Sequence, residues 1–181
     1  MDIIKYGKGL GAPFALYDGT GIEIMAFTSN DTADPYKQDI KIIKDTEYNP
    51  TGVGSSISDN MNTVAFHEDN PHLERIDASN LVLFFDSEDR PDSVGFHDIW
   101  YSTSSDNGST WAVPDNLSSV NTNLTDYQPH LFKDKAGDWY LYFASYHSDG
   151  KLAIFRAKLT DPNNWDSFGS RELVIGSGNA A

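Results

Sequence analysis

The chain has no cysteine among its 181 residues. Disulfide bonds, thiolate metal sites and cysteine nucleophiles are therefore excluded. Basic residues are scarce as well, because 13 Lys and Arg stand against 27 Asp and Glu, giving a formal net charge of −14. This charge disfavours nucleic acid and anionic membrane surfaces as partners, and it is compatible with cations, neutral ligands such as sugars, or basic partners.

Long apolar runs are also missing. No stretch of the sequence approaches the roughly 20 apolar residues that span a bilayer. Residues 1–7 lack the charged-then-apolar pattern of a signal peptide, so the sequence predicts a cytoplasmic protein by default, or a secreted one if the chain is a fragment. The hydrophobic fraction of 39% is enough for a core, and the length predicts a single domain over residues 1–181.

The sequence contains a repeat of 58 residues. Its first landmark is a proline, found at Pro13, Pro71 and Pro129 (71 − 13 and 129 − 71). Its second landmark is the phenylalanine of a Phe-x-Ser triplet, found at Phe27, Phe85 and Phe143 with the same spacing. A fixed period of this length is the signature of a repeat architecture, and equivalent positions of the units are expected to gather around a common axis.

Each repeat has the pattern of four short strands. Strand one follows the proline, strand two is an aromatic and aliphatic run such as residues 81–85 or 139–143, and strand three covers residues such as 98–102. Strand four is expected to start near Trp111 or Trp165. Four antiparallel strands repeated radially form a β-propeller blade, so we expect an all-β fold of three blades, at about residues 11–64, 65–122 and 123–181. A solenoid of the same unit is the structural alternative.

One turn carries a more specific motif. Residues 104–111 read Ser-Ser-Asp-Asn-Gly-Ser-Thr-Trp, which resembles the Asp-box, S-x-D-x-G-x-T-W, of sialidase-type (BNR) β-propellers. The matching residues are Ser104, Asp106, Gly108, Thr110 and Trp111. The third repeat has a degenerate copy at residues 159–165, and the first repeat has none. In that family the motif is a structural turn away from the active site, so the resemblance implies a fold and not a catalytic role.

A second resemblance is looser. Residues 111–117 and 120–122, then Pro129 and residues 142–145, resemble TolB-like propeller repeats, many of which are binding or scaffolding modules. Five-bladed glycosidases of the arabinanase and fructosidase type share the same blade. Together these resemblances imply a glycosidase-like propeller superfamily with five or six blades.

Three blades are fewer than the roughly 4–8 of closed propellers. An open set of three would expose aromatic and aliphatic faces larger than monomers tolerate. We therefore expect either a fragment of a longer propeller or a homodimer that completes a six-bladed ring, with the copies joined by a two-fold axis or head to tail.

One face of the expected propeller collects the polar side chains. It is formed by the start of strand one and the loop between strands two and three of each blade. The candidate ligand-binding residues there are His67, His72, His97, His130 and His147, with Tyr127, Tyr146 and Arg90. The carboxylates on the same face are Asp31, Asp34, Glu68, Asp69, Glu74, Asp86, Glu88, Asp89, Asp98, Asp126 and Asp149.

Two functions fit such a face. The favoured one is a binding module for a carbohydrate or small polar ligand, with no required cofactor but room for a divalent cation such as calcium. The alternative is a glycoside hydrolase-like enzyme, in which paired carboxylates act as acid and base. In that case Asp69 is the expected base or nucleophile, with Glu74 or Asp86 as its partner. For any one of these side chains a solvated surface position is the favoured interpretation, whereas the face as a whole indicates a function.

Overall fold

The computed structural model describes residues 10–17, 22–30, 37–44, 55–56, 61–63, 65–88 and 90–176. These residues form twelve β-strands and no α-helix. They contain no helix long and apolar enough to cross a bilayer.

The strands form three sheets of four. The first sheet contains β1 (Leu10–Tyr17), β2 (Ile22–Asn30), β3 (Gln38–Lys44) and β4 (Ser55–Ser56). The second contains β5 (Glu68–Arg75), β6 (Leu81–Glu88), β7 (His97–Ser104) and β8 (Asp115–Asn116). The third contains β9 (Asp126–Lys133), β10 (Trp139–Tyr146), β11 (Leu152–Lys158) and β12 (Glu172–Ile175). In each sheet the strands lie in chain order, which confirms the three four-stranded antiparallel units expected from the repeat.

The second strand of each sheet forms because it carries the most apolar run of its repeat. In β6 every residue from Leu81 to Ser87 is buried, as expected for a strand covered on both faces. In β10 the burial alternates from Tyr140 to Phe143, so in this part of the strand one face is more exposed than the other. The fourth strand is shorter and begins later than expected, since β8 has only two residues and starts at Asp115 rather than near Trp111.

The repeated prolines lie inside the first strands rather than before them. The residue ahead of each proline has a positive φ, namely Ala12 at 43°, Asn70 at 50° and Gln128 at 54°. The pairing register shifts at two of these points, between Gly11 and Phe14 in β1 and opposite Tyr142 and Ala144 in β9. A proline has no N–H for the ladder, and a bulge accommodates it without breaking the strand.

The chain divides into two compact units, residues 1–83 with 102–114 and residues 84–101 with 115–181. The fully buried side chains of the first unit include Ile24, Ile40, Met61, Leu73, Leu81 and Leu83. Those of the second unit include Phe84, Phe85, Ile99, Leu117, Leu131, Leu141 and Phe143. The single domain expected from the sequence stays a prediction.

The turn of residues 104–111 belongs to the first unit and is closed by side chains. Asp106 accepts hydrogen bonds from the backbone N–H of Thr110 at 2.8 Å and from its hydroxyl at 2.7 Å. The hydroxyl of Ser104 donates to Asp106 at 2.8 Å and accepts from the N–H of Gly108 at 2.8 Å. Gly108 has a φ of 75°, a conformation that favours glycine, and its backbone approaches the ring of Trp111. These bonds explain how Ser104, Asp106 and Thr110 close this turn.

Candidate functional site

Asp86 is a carboxylate at the end of a buried strand. Only 2% of the residue is exposed, because β6 is covered along its length. Its Oδ1 accepts a hydrogen bond of 2.9 Å from the backbone N–H of Gln128, the positive-φ residue of β9. Its Oδ2 lies 3.7 Å from Nδ1 of His97, the first residue of β7.

The imidazole of His97 lies between two carboxylates. Its Nε2 is 3.0 Å from Oε1 of Glu88, while its Nδ1 faces Asp86. Asp86 and Glu88 point to the same side of β6, since residues two apart in a strand share a face and are about 6.6 Å apart along it. The structure thus forms a carboxylate–imidazole–carboxylate group within the second unit, which we call the Asp86 cluster.

Two tyrosines border this group. The ring of Tyr127 is 6.1 Å from that of His97. Burial raises the pKa of the Tyr127 phenol, and the nearby Tyr146 and Asp86 raise it further. The phenol therefore stays protonated at neutral pH and is a hydrogen-bond donor beside the two carboxylates.

The loop of residues 90–97 brings an aromatic ring next to the cluster. Asp98 is fully buried and accepts hydrogen bonds from the N–H groups of Val94 at 2.6 Å and Gly95 at 2.9 Å. The N–H of Phe96 donates to the carbonyl of Leu124 at 3.1 Å. The side chain of Phe96 is 56% exposed, and its ring stands edge-on to His97 at 5.0 Å. Phe96 is not among the residues expected from the sequence. Its position one residue before His97 is the sequence signal that could have identified it.

Arg90 begins the same loop but is buried. Its guanidinium lies over the rings of Trp100, at 4.9 Å, and Phe85, at 5.6 Å. Such cation–π contacts fix the loop against β6 and β7.

The first unit contains a related group around Asp69. The hydroxyl of Thr28 donates to Asp69 Oδ1 at 2.6 Å, and the N–H of Asn70 donates to the same oxygen at 2.7 Å. His72 is buried, with its ring 4.1 Å from that of Phe14. His67 and Glu74 are half-buried. Thr28 and Asp86 occupy equivalent positions of the repeat, and both groups form beside the positive-φ residue of a first strand, Asn70 or Gln128.

Two expected carboxylates of the face hold the backbone. Glu68 accepts hydrogen bonds from the N–H and the hydroxyl of Thr63. Asp126 accepts the same two bonds from Thr122, and its Oδ1 lies 3.0 Å from Nη1 of Arg171. Both acids are fully buried, and each is the first residue of its strand, Glu68 of β5 and Asp126 of β9.

His147 and His130 have surroundings of their own. His147 pairs with Asp149 at 3.3 Å and stacks on Phe155 with ring centroids 6.3 Å apart. His130 is an exposed residue, yet nearby protein atoms desolvate its ring and lower its pKa, so it is neutral at neutral pH. Asp31, Asp34 and Asp89, also expected on this face, lie outside the described residues.

The part of the chain that the structure describes contains no ready-formed metal site. Three or more histidine, aspartate or glutamate side chains placed to hold an ion do not come together there. A calcium ion therefore stays an expectation from the sequence.

Comparisons with known proteins identify the fold. No protein-family model matches the chain, and no curated protein matches it. Among solved structures, the α-L-arabinanase of Penicillium chrysogenum complexed with arabinobiose aligns with a TM-score of 0.63 at 14% identity, over 96% of this chain and 51% of that one. The endo-arabinase of Bacteroides thetaiotaomicron aligns with a TM-score of 0.61 at 15% identity, over 91% of this chain and 62% of that one.

A thermostable family-43 glycoside hydrolase gives a similar result, with a TM-score of 0.60 at 14% identity. The alignment covers 96% of this chain and 56% of that enzyme. The chain thus spans little more than half the length of these proteins. Its fold is that of part of a β-propeller, and at this identity the likeness shows the fold alone.

Proposed function

We propose that the chain binds a carbohydrate through the Asp86 cluster. The observation that supports this most directly is the buried carboxylate of Asp86, fixed by the N–H of Gln128 and facing His97. A sugar hydroxyl both donates and accepts hydrogen bonds. Glu88, whose side chain is 32% exposed, supplies acceptors, and the protonated phenol of Tyr127 supplies a donor, while the buried Asp86 holds the imidazole of His97 beside them.

The neighbouring aromatic ring fits the same ligand class. The exposed ring of Phe96 offers an apolar face beside these polar groups. The C–H face of a sugar ring can pack on such a side chain while the hydroxyls reach the carboxylates. A neutral polyhydroxylated ligand also agrees with the net charge of −14, which would repel an anionic one.

The first ligands to test come from the similar structures. Two of these are named as an arabinanase and an endo-arabinase, and another is a xylan β-1,4-xylosidase from Bacillus halodurans, matched with a TM-score of 0.57. A shared fold gives only an analogy of function, so arabinose- and xylose-based oligosaccharides form the start of the panel and not its limit.

Isothermal titration calorimetry with this panel tests the proposal. We expect at least one oligosaccharide to bind, and Asp86→Asn and Phe96→Ala each to weaken it by about tenfold, the effect of losing one well-placed contact. Val113→Ala, at an exposed apolar residue of the other unit, is the matched control and should bind as the unaltered chain does. Unchanged affinity in both site variants would refute the assignment of the site.

Glycoside hydrolysis is the second candidate function, favoured by the placement of the two acids on β6. Both acids contact the same imidazole, Asp86 at Nδ1 and Glu88 at Nε2 of His97, and two neighbouring carboxyl groups are what most glycoside hydrolases use as acid and base. The pair expected from the sequence, Asp69 with Glu74 or Asp86, is the other arrangement to test. In the structure Asp69 accepts hydrogen bonds from Thr28 and Asn70.

A panel of aryl glycosides separates the two functions. Hydrolysis that is lost in Asp86→Asn and kept in Asp69→Asn would favour the Asp86 cluster as the catalytic pair. The reverse result would favour Asp69. Binding without release of the aryl group in any assay would leave the carbohydrate-binding function alone.

A further inference from the structure

The repeat allows one face of each sheet to be compared at equivalent positions. Phe84 of β6 and Tyr142 of β10 are equivalent (142 − 84 = 58), and Ile24 of β2 is the counterpart of Tyr140 two repeats further on (140 − 24 = 2 × 58). Ile24 and Phe84 are buried, at 1% and 0% exposure. Tyr140 and Tyr142 are only half-buried. The same face is therefore covered in the first two sheets and open in the third.

In the second unit the cover comes from the following repeat. The ring of Phe84 lies 6.1 Å from that of Trp165 and 6.2 Å from that of Phe168, both edge-on. These two rings belong to the segment between β11 and β12. The N–H of Ser119 and the hydroxyl of Ser118 both donate to Asp166 in that segment, at 3.0 and 2.9 Å.

In the first unit the turn of residues 104–111 has the same role. A Cβ placed on Gly108 would lie 3.7 Å from Cδ1 of Ile24, so the backbone of the turn packs on β2. Lys44 at the end of β3 donates to the hydroxyl of Ser109 at 2.9 Å. In both units, then, the segment after the third strand of one sheet covers the preceding sheet.

The third sheet shows the matching face without such a cover among the described residues. The pairing register puts Tyr140 opposite Phe132, Ala144 opposite Ile154, and Ile154 opposite Ile175 on one side of the sheet. We call this side the outer face, and its apolar members are Phe132, Tyr140, Tyr142, Leu152, Ile154 and Ile175. Phe132 is 50% exposed and Ile175 55%. Contiguous apolar surface of this kind marks an interaction site.

We propose that the outer face of the third sheet docks a second copy of this chain. The first two sheets show what the face accepts, namely another four-stranded sheet with its turn. Two copies supply six sheets, which falls within the roughly 4–8 of closed propellers. The similar arabinanase is also about twice as long as this chain, which covers 51% of it.

The charges of the face agree with self-association. Arg156 and Lys158 lie on the outer face, opposite Tyr142 and Tyr140 in the register. Each is already neutralised, since Arg156 is 2.8 Å from Glu172 and Lys158 is 2.6 Å from Asp138. The face thus presents no unpaired charge of these residues to another copy of an acidic chain.

Sedimentation equilibrium without added ligand tests the proposal independently of carbohydrate binding. We expect a mass twice that of the 20.1 kDa chain. Phe132→Glu and Ile154→Glu should weaken the dimer by about tenfold or more, because each buries an unpaired carboxylate in the interface. Val113→Glu, at a residue that is 66% exposed in the other unit, should leave the dimer intact. A monomer of 20.1 kDa, or a trimer, would overturn the proposal.

A labelling measurement covers the case in which the charged variants do not fold. Because the chain has no cysteine, a single Phe132→Cys or Val113→Cys substitution creates one maleimide-reactive site. We expect Cys at position 132 to react at least about tenfold more slowly than Cys at position 113, with the difference lost on dilution to monomer. Equal rates at every concentration would contradict the proposal. They would mean that the outer face is open to solvent, or that it binds a sheet of a different protein.

Discussion

The carboxylate of Asp86 accepts a hydrogen bond of 2.9 Å from the backbone N–H of Gln128, the residue that precedes Pro129 with a φ of 54°. Thr28, the equivalent of Asp86 one repeat earlier, donates to Asp69 at 2.6 Å, just ahead of Pro71. The middle residue of the Phe-x-Ser triplet thus reaches the bulge of the next first strand in both units. The two landmarks of the repeat are linked in space by this contact.

Removing the acceptor at Asp86 should cost stability. Asp86→Ala removes the acceptor of the part-buried hydrogen bond from the N–H of Gln128, and we expect the free energy of unfolding to fall by roughly 1 kcal/mol. Asp86→Asn keeps an oxygen in place and should be less destabilising. Urea unfolding followed by circular dichroism measures both variants, and equal stability of the two would show that the hydrogen bond is not what holds the bulge.

Gly95 should not tolerate a side chain. A Cβ at this position would lie 1.9 Å from the carbonyl oxygen of Leu124 and 2.6 Å from that of Thr122. Both contacts are with backbone, which cannot move aside cheaply, so Gly95→Ala should displace the loop that carries Phe96 and His97. We expect lower stability and lost carbohydrate binding. Gly11→Ala is the control, because a Cβ there meets nothing within 4 Å; equal effects of the two substitutions would contradict this explanation.

The strands were predictable because their apolar runs and turns repeat with the period. The landmarks Phe85 and Phe143 occupy buried positions of β6 and β10, as expected for second strands. The extent of the first strands was not predictable in the same way. A proline ordinarily marks the edge of a strand, and the sequence gives no sign that Asn70 and Gln128 adopt the positive φ with which β5 and β9 continue through it.

The candidate site was predictable in composition but not in grouping. The pattern places His97 and Asp86 on one face, yet it gives no sign that the imidazole lies between Asp86 and Glu88. The roles of Glu68 and Asp126 were also hidden. These acids cap the Thr63 and Thr122 backbone, a contact set by loop conformation rather than by strand periodicity.

Two asparagines should stabilise their units to a similar extent. Asn121 accepts from the N–H of Ile99 at 2.9 Å and donates to its carbonyl at 2.8 Å. Asn62 makes both bonds with Ile40, each at 2.8 Å. We expect Asn121→Ala and Asn62→Ala each to lower the free energy of unfolding by roughly 1–3 kcal/mol.

Urea denaturation provides the measurement for this pair, with Asn123→Ala at an exposed position as the control. If the control destabilised the chain as much as Asn121→Ala, the two hydrogen bonds between Asn121 and Ile99 would not be the cause.

Acid should weaken the turn of residues 104–111 through Asp106. Hydrogen bonds from the N–H and hydroxyl of Thr110, followed by that from Ser104, lower the pKa of Asp106 from 3.8 to about 2. The unfolded chain therefore binds this proton at higher pH than the folded chain does. The stabilisation from the ionised carboxylate is complete above pH 3.8 and is lost as the pH falls towards about 2.

We expect Asp106→Asn to be less stable than the unaltered chain near neutral pH, with the difference shrinking over that acidic range. Thermal unfolding at a series of pH values measures it, with Asp92→Asn controlling for the loss of one negative charge from an exposed turn. A difference that stayed constant down to pH 2 would show that the ionisation of Asp106 does not support the turn.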